Sequence, residues 1–313
     1  MRYIFILFIF TLFLRADEKS IELISFSYSM ENDAIVETDF GYTHGAYLNS
    51  LFKISNNIFD IKYISLSYNQ QMFTPVDISD PNVIKDDRPY AGYEYIGVDL
   101  HRVNRDNLDS FMIQIGNVGP ASAMDKLQNK IHDALEVPHA NGWHNQLPDR
   151  LIYQLNYIHK WRIVTPKIST MDSVFIPYAG GNLGTASIKA SLGAQYRIGF
   201  NVPVDFGVGT MNEAGYTSIP RTKNLDNIIK SNWTFCLNLS AGSNLVYKDI
   251  LLDNWYDLER NIFNAYGSYG VTLRYRRFSI DFSNIYYSKE YQQRGKYKEY
   301  KGYSSAILTY NFE

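Results

Sequence analysis

The 313-residue chain has a single cysteine, Cys236, so no intramolecular disulfide can staple it. Beyond its first residues it has no stretch of roughly 18 continuous apolar residues, so no later segment can cross a bilayer as a helix. Charge of one sign is not in excess, with 30 Lys and Arg against 32 Asp and Glu. That balance argues against a nucleic-acid partner, which shows itself as a basic patch or stripe. Also absent are a Gly-x-Ser-x-Gly elbow, a phosphate-cradling glycine loop, zinc-ligand spacing and a dinucleotide fingerprint, which disfavours a serine triad.

The N-terminus is of a different kind. Arg2 precedes an apolar run from Tyr3 to Leu14, and Arg15-Ala16 leads into Asp17-Glu18-Lys19. A dozen apolar residues are too few to span a membrane, so residues 1–16 read as a secretory signal peptide and 17–313 as the mature domain. Removing Arg2 and Arg15 would take the formal charge from −2 to −4.

What the chain has in abundance is aromatic side chains, 26 Tyr, 18 Phe and 4 Trp, set in a period of two. Ile24, Phe26, Tyr28 and Met30 alternate with serines, and Trp233, Phe235, Leu237 and Leu239 alternate with Thr234, Cys236 and Asn238. A soluble sandwich would alternate in the same way. The length of the runs favours a transmembrane β-barrel, whose tilted strands need about ten residues each and gather aromatics at both interfaces. The expected spans are 21–31, 43–54, 58–70, 92–103, 108–117, 151–164, 172–182, 185–199, 231–247, 263–275, 277–288 and 302–312. The fold class is therefore all-β, an antiparallel barrel of about twelve strands, with 200–230 ambiguous. A change of apolar parity between Tyr63 and Ile64 suggests a bulge or a misplaced strand boundary, and Cys236 reads as structural filler on a polar face.

One long interruption, 119–149, breaks the strand pattern, and loops of that length are usually functional. Within it Pro120–Leu135 reads as a short helix capped by Ser122. Met124, Leu127, Ile131 and Leu135 form an apolar stripe, bordered by Ala121, Asp125, Gln128 and His132. This pattern suits a helix laid against the barrel wall, with His132 either facing a pocket or topping a solvated face. Glu31-Asn32-Asp33 ends the first strand. Its oxygens could serve a hard cation such as Ca²⁺, although strand parity separates Asn32 from Asp33 and Asn-Asp is also an ordinary turn dipeptide. Asp86-Asp87-Arg88-Pro89-Tyr90-Ala91-Gly92 reads equally as a salt-bridged turn or a ligand contact.

Together these segments resemble one family, the outer-membrane lipid A 3′-O-deacylases. The matching residues are Asn32-Asp33, Thr38-Asp39, Tyr42-Thr43-His44-Gly45, Met72-Phe73-Thr74-Pro75 and Asp86 to Gly92. They continue with Gly119-Pro120-Ala121-Ser122, Gln128, His132, Gly142-Trp143 and Gln146. The second half matches only as barrel strands, with Ala306, Leu308, Tyr310 and Phe312 resembling a C-terminal barrel signal. The resemblance implies a monomeric barrel in the bacterial outer membrane with its helix in an extracellular loop and its site between helix and wall. It further implies Ca²⁺-dependent hydrolysis of the 3′-linked acyloxyacyl ester of lipid A. In that scheme His132 activates water, Asn32, Asp33, Thr43 and Gln128 belong to the site, and Asn32 and Asp33 serve the metal. His44 and Val76 depart from the family pattern. The alternatives are an outer-membrane phospholipase and a non-catalytic porin or adhesin barrel.

Overall fold

A computed structural model describes residues 21–33, 41–55, 59–208, 232–253, 255–256, 258–292 and 300–312. The signal segment 1–16, Thr38-Asp39 and most of the ambiguous 200–230 stretch lie outside these. The strands in chain order are β1 (Ile21–Asn32), β2 (Gly41–Ile54), β3 (Ile61–Thr74), β4 (Ala91–Asn104), β5 (Asn107–Val118), β6 (Arg150–Trp161), β7 (Ile163–Ile168), β8 (Met171–Gly184), β9 (Ser187–Phe200), β10 (Trp233–Asp249), β11 (Glu259–Arg260), β12 (Phe263–Tyr275), β13 (Phe278–Ser288), β14 (Tyr291–Gln292) and β15 (Tyr300–Asn311). β6 and the short β7 are one wall strand interrupted at Arg162, since both pair with β8. A separate two-stranded ribbon is formed by β11 and β14. The remainder closes as a twelve-stranded antiparallel barrel, with β1 bonded to β15 and β6 to β8.

Every expected strand is present, most within two or three residues of the span read from the sequence. The register runs unbroken through Tyr63 and Ile64, so their parity change is not a bulge. Tyr63 is an apolar residue turned into the lumen, where it joins Ile24, Leu51 and Phe206, and the β3–β4 register skips one step earlier, at Lys62. Alternation assigns the two faces. Ser25, Ser27, Ser29, Asn49, Ser67, Asn69 and Gln71 point inward and are buried. Phe26, Met30, Leu155, Leu192 and Leu239 point outward, with Leu239 53% exposed. Such an apolar exterior around a polar interior reverses the plan of a soluble protein and suits a hydrocarbon surround.

The two ends of the barrel differ. At the end carrying β1's start and β15's finish, hairpins such as Asn104–Asn107 and Tyr275–Phe278 are tight. The opposite end carries the long connections 75–90, 119–149 and 250–262, and the β9–β10 connection is the one long link at the hairpin end. Residues 201–208, expected to be ambiguous, turn into the lumen at the hairpin end rather than extending the wall. Phe206 packs there with Ile24, Leu51, Tyr63, Val103 and Leu108. Arg197 Nη1 donates to Asp205 Oδ1 at 2.5 Å, and Arg197 Nε donates to Asn238 Oδ1 at 2.9 Å. Cys236 is fully buried beside this pair, its Sγ 3.5 Å from Arg197 Nη2, in keeping with a filling role.

The long loop corrects one expectation. Instead of one helix from Pro120, a 3-10 turn over Pro120–Ser122 ends at Ala123, whose left-handed φ of 58° breaks the run, and α1 covers Met124–Leu135. Ser122 does not cap α1; its hydroxyl donates to Gly119 O at 2.6 Å. The buried face is also rotated from the expected apolar stripe, since Met124 and Gln128 are buried while Leu135 is 66% exposed. Polar Gln128 takes a core position because the helix is seated by what lies beneath it. Met124 joins Met72, Tyr90, Ala140 and Trp143 in one cluster, with Leu127 and Ile78 at its edge.

Gly92 is what permits that seating. A Cβ there would stand 2.1 Å from Ser122 Oγ and 2.8 Å from Met124 Cβ. We expect Gly92→Ala to lift α1 off the wall, seen as faster proteolysis within 119–149, while the barrel keeps its heat-modifiable gel mobility; unchanged cleavage would refute this. Asp205→Ala should leave a buried guanidinium without its carboxylate. The expected loss is about 3–5 kcal/mol of barrel stability, measured by denaturant unfolding in lipid vesicles.

Candidate functional site

Strand pairing sets out the ground of the site. Asn32 opposes His44, His44 opposes Met72, and Met72 opposes Gly92, so the four occupy one row across β1 to β4. Residues directly opposite in such a ladder share a face. Inward neighbours of this row are Glu31, Gly45, Phe73 and Tyr93, so the row itself lies on the outer wall at the loop end. Helix α1 stands over its Met72–Gly92 side.

A second bulge brings Thr43 to the same place. The β2–β3 register skips between Tyr42, paired with Phe73, and His44, leaving Thr43 as the extra residue. Bulges re-aim side chains in this way. Thr43 Oγ1 lies 2.6 Å from Thr74 Oγ1, and Asn32 Nδ2 donates to Thr43 O at 3.2 Å. Asn32 and Thr43 are thus joined directly. Thr74, wholly buried, completes this hydroxyl pair; no periodicity signals it, because the bulge that creates the pairing is invisible in sequence.

Asp33 follows the end of β1 and is 1% exposed. It lies just past the last ladder residue, Asn32, where strand parity no longer dictates its side. Glu31, the third member of this polar cluster, accepts from Tyr42 Oη at 2.6 Å and Tyr47 Oη at 2.9 Å and anchors the inward side. Among the described residues no three His, Cys, Asp or Glu side chains gather in a metal-holding cluster. Most donors near the strand end are oxygens, namely the Asp33 carboxylate, the Asn32 amide, the Thr43 hydroxyl and main-chain carbonyls, with the His44 imidazole opposite Asn32. That oxygen-rich chemistry fits a hard cation such as Ca²⁺.

On α1, Gln128 and His132 are one turn apart. Trp143 Nε1 donates to Gln128 Oε1 at 2.6 Å. His132 is half-buried, and its Nδ1 lies 2.6 Å from Pro138 O. A carbonyl only accepts, so Nδ1 must carry the proton, and in the neutral ring Nε2 is left with its lone pair. The chain returns to meet His132 because Glu136 adopts a left-handed φ of 56° and Val137 N bonds to His132 O at 3.0 Å. Beside it, His139 Nε2 pairs with Asp133 Oδ1 at 2.6 Å. From row spacing, the ground beneath α1 begins about 10–15 Å along the wall from Asn32. Asn32 with Thr43, and Gln128 with His132, therefore form two groups on one outer surface, with buried Asp33 next to Asn32 in the chain.

The Asp86–Gly92 segment resolves as structural support. Asp87 accepts from Val76 N at 2.7 Å and Arg88 N at 2.8 Å, and also from Tyr291 Oη. Arg88, 2% exposed, lies over the Phe73 ring at 4.6 Å and reaches Glu290 at 3.5 Å. Tyr90 donates to Ile78 O at 3.1 Å and stacks at 5.0 Å on Trp143; burial pushes its phenol up to about 12, so it stays a neutral donor.

Comparison with known proteins adds to this geometry. The chain matches the family model described as outer membrane protein LpxR over residues 4–312. Among solved structures it is similar to LpxR from Salmonella typhimurium, at 17% identity and a TM-score of 0.75, covering 92% of this chain and 100% of that one. A looser likeness is to the β-domain of the Bordetella autotransporter BrkA, at 7% identity and a TM-score of 0.45, covering 94% and 100%. No curated protein sequence matches. With a family match that runs through the barrel and the loop helix alike, this chain belongs to the LpxR family of outer-membrane proteins.

Proposed function

We propose that the protein is a lipid A 3′-O-deacylase, hydrolysing the 3′-linked acyloxyacyl ester of lipid A in the outer leaflet. Short turns face the periplasm and long loops the exterior in such barrels, so the loop end, with α1, is the extracellular one. The observation that carries the reading is the tautomer of His132. With Nδ1 committed to Pro138 O, Nε2 is a proton acceptor held on a helix against a lipid-facing wall. A substrate anchored in the membrane by its acyl chains would meet this surface without leaving the bilayer.

The chemistry follows from these residues. His132 Nε2 takes a proton from a water as the water oxygen bonds to the ester carbonyl carbon. The resulting tetrahedral intermediate collapses by breaking the bond to the sugar 3′ oxygen, which recovers the proton from the imidazolium. The products are an acyloxyacyl acid and a free 3′-hydroxyl. General-base assistance of this kind contributes typically 10²–10⁴-fold. Asp33, Asn32 and Thr43 would hold Ca²⁺, which when bound polarises an ester carbonyl as a Lewis acid.

Lipid A extracted from cells making the protein should lose the mass of one acyloxyacyl group. His132→Ala should lower the rate by at least about 10²-fold. A calcium chelator applied to the purified protein should stop turnover, and added Ca²⁺ should restore it. Full shortening of lipid A by the His132 variant would remove the assignment, and full turnover in chelator would remove the metal.

A further inference from the structure

We infer that Trp143 is a positioning residue that locks the Gln128 side chain so that its amide nitrogen donates to the acyl ester of the substrate. The inference rests on the deacylase reading above and adds a donor to it. An amide side chain can sit in either of two flipped states, and ordinarily its environment must decide between them. Here the chemistry decides. The indole nitrogen is a donor only, so the 2.6 Å contact from Trp143 Nε1 must be to Gln128 Oε1. That leaves Nε2, with two N–H groups, on the other side of the amide.

Nε2 is buried yet has no hydrogen-bond partner among the described residues, on a side chain only 2% exposed. Buried donors are almost always satisfied, and an exception in a native structure calls for an explanation. Gln128 lies on the face of α1 turned to the wall, in line with Met124, and His132 follows it by one turn. Side chains four apart on a helix stand about 5–6 Å from each other at Cβ. An ester carbonyl whose oxygen accepts from Gln128 Nε2 would thus have its carbon within reach of a water held by His132.

Trp143 is well placed to be a fixed support. It is 5% exposed, rests on Tyr90, and follows Gly142, where a Cβ would approach Tyr90 Cε2 to 2.4 Å. The indole therefore has little freedom to follow Gln128, and Gln128 must conform to it.

The test is steady-state kinetics of the purified full-length protein on lipid A in mixed micelles. Trp143→Phe keeps the ring and removes the donor; kcat should fall about 10–100-fold with KM within about twofold and unfolding unchanged, a pattern set by donors acting in the transition state. Gln128→Ala should fall at least as far, and the double variant should be no slower than Gln128→Ala alone, because Trp143 acts through Gln128. Gln128→Glu, which still accepts from the indole but offers no N–H, should lose kcat likewise, and it reads the claim even if Trp143→Phe fails to fold. Wild-type kcat in Trp143→Phe or Gln128→Glu, or multiplicative losses in the double variant, would overturn the inference while leaving the deacylase reading intact. A wild-type protein inactive on lipid A would sink both.

Discussion

The backbone ladder from β1 round to β15 governs everything else in this molecule. Hydrocarbon offers no partner to a peptide N–H or C=O, so a wall in lipid must satisfy every such group within itself, and closure leaves no edge exposed. Here the ring is completed by Ser25 to Asn32 paired with Asn311 to Ser304. Once it is closed, the period of two is no longer optional. One set of side chains faces lipid and the other a lumen, and each residue's chemistry is judged by which side it occupies.

The lumen is filled at both ends. At the hairpin end the 201–208 segment brings Phe206 and Asp205 into the ring. Towards the loop end Tyr42, Tyr47, Phe73, Tyr93, Tyr95, Tyr287 and Tyr303 join one buried cluster. Packing of this kind stiffens the wall from within. That rigidity is what an external site needs, because the groups on the outer wall are positioned by strands that cannot shift singly.

The site is consequently built outside, by departures from regularity. A bulge at Thr43 turns a side chain outward to meet Thr74, and the missing side chain of Gly92 lets α1 lie close. Left-handed residues at Ala123 and Glu136 start and stop the helix so that the chain folds back on His132. Each irregularity has a local cost, and each is held by the regular structure around it.

The sequence by itself determined the barrel, since alternation, strand length and the absence of helical spans are local properties that survive without any tertiary contact. It also marked His132 and Gln128 on one helix stripe. Only the tertiary structure decided which face of α1 is buried, and it chose Gln128 over Leu135 because the indole of Trp143 waited beneath. It likewise decided that Asp87 and Arg88 brace the barrel mouth, and that Pro138 fixes the histidine proton. Each of these depends on groups brought together from distant parts of the chain, and periodicity carries no record of such a meeting.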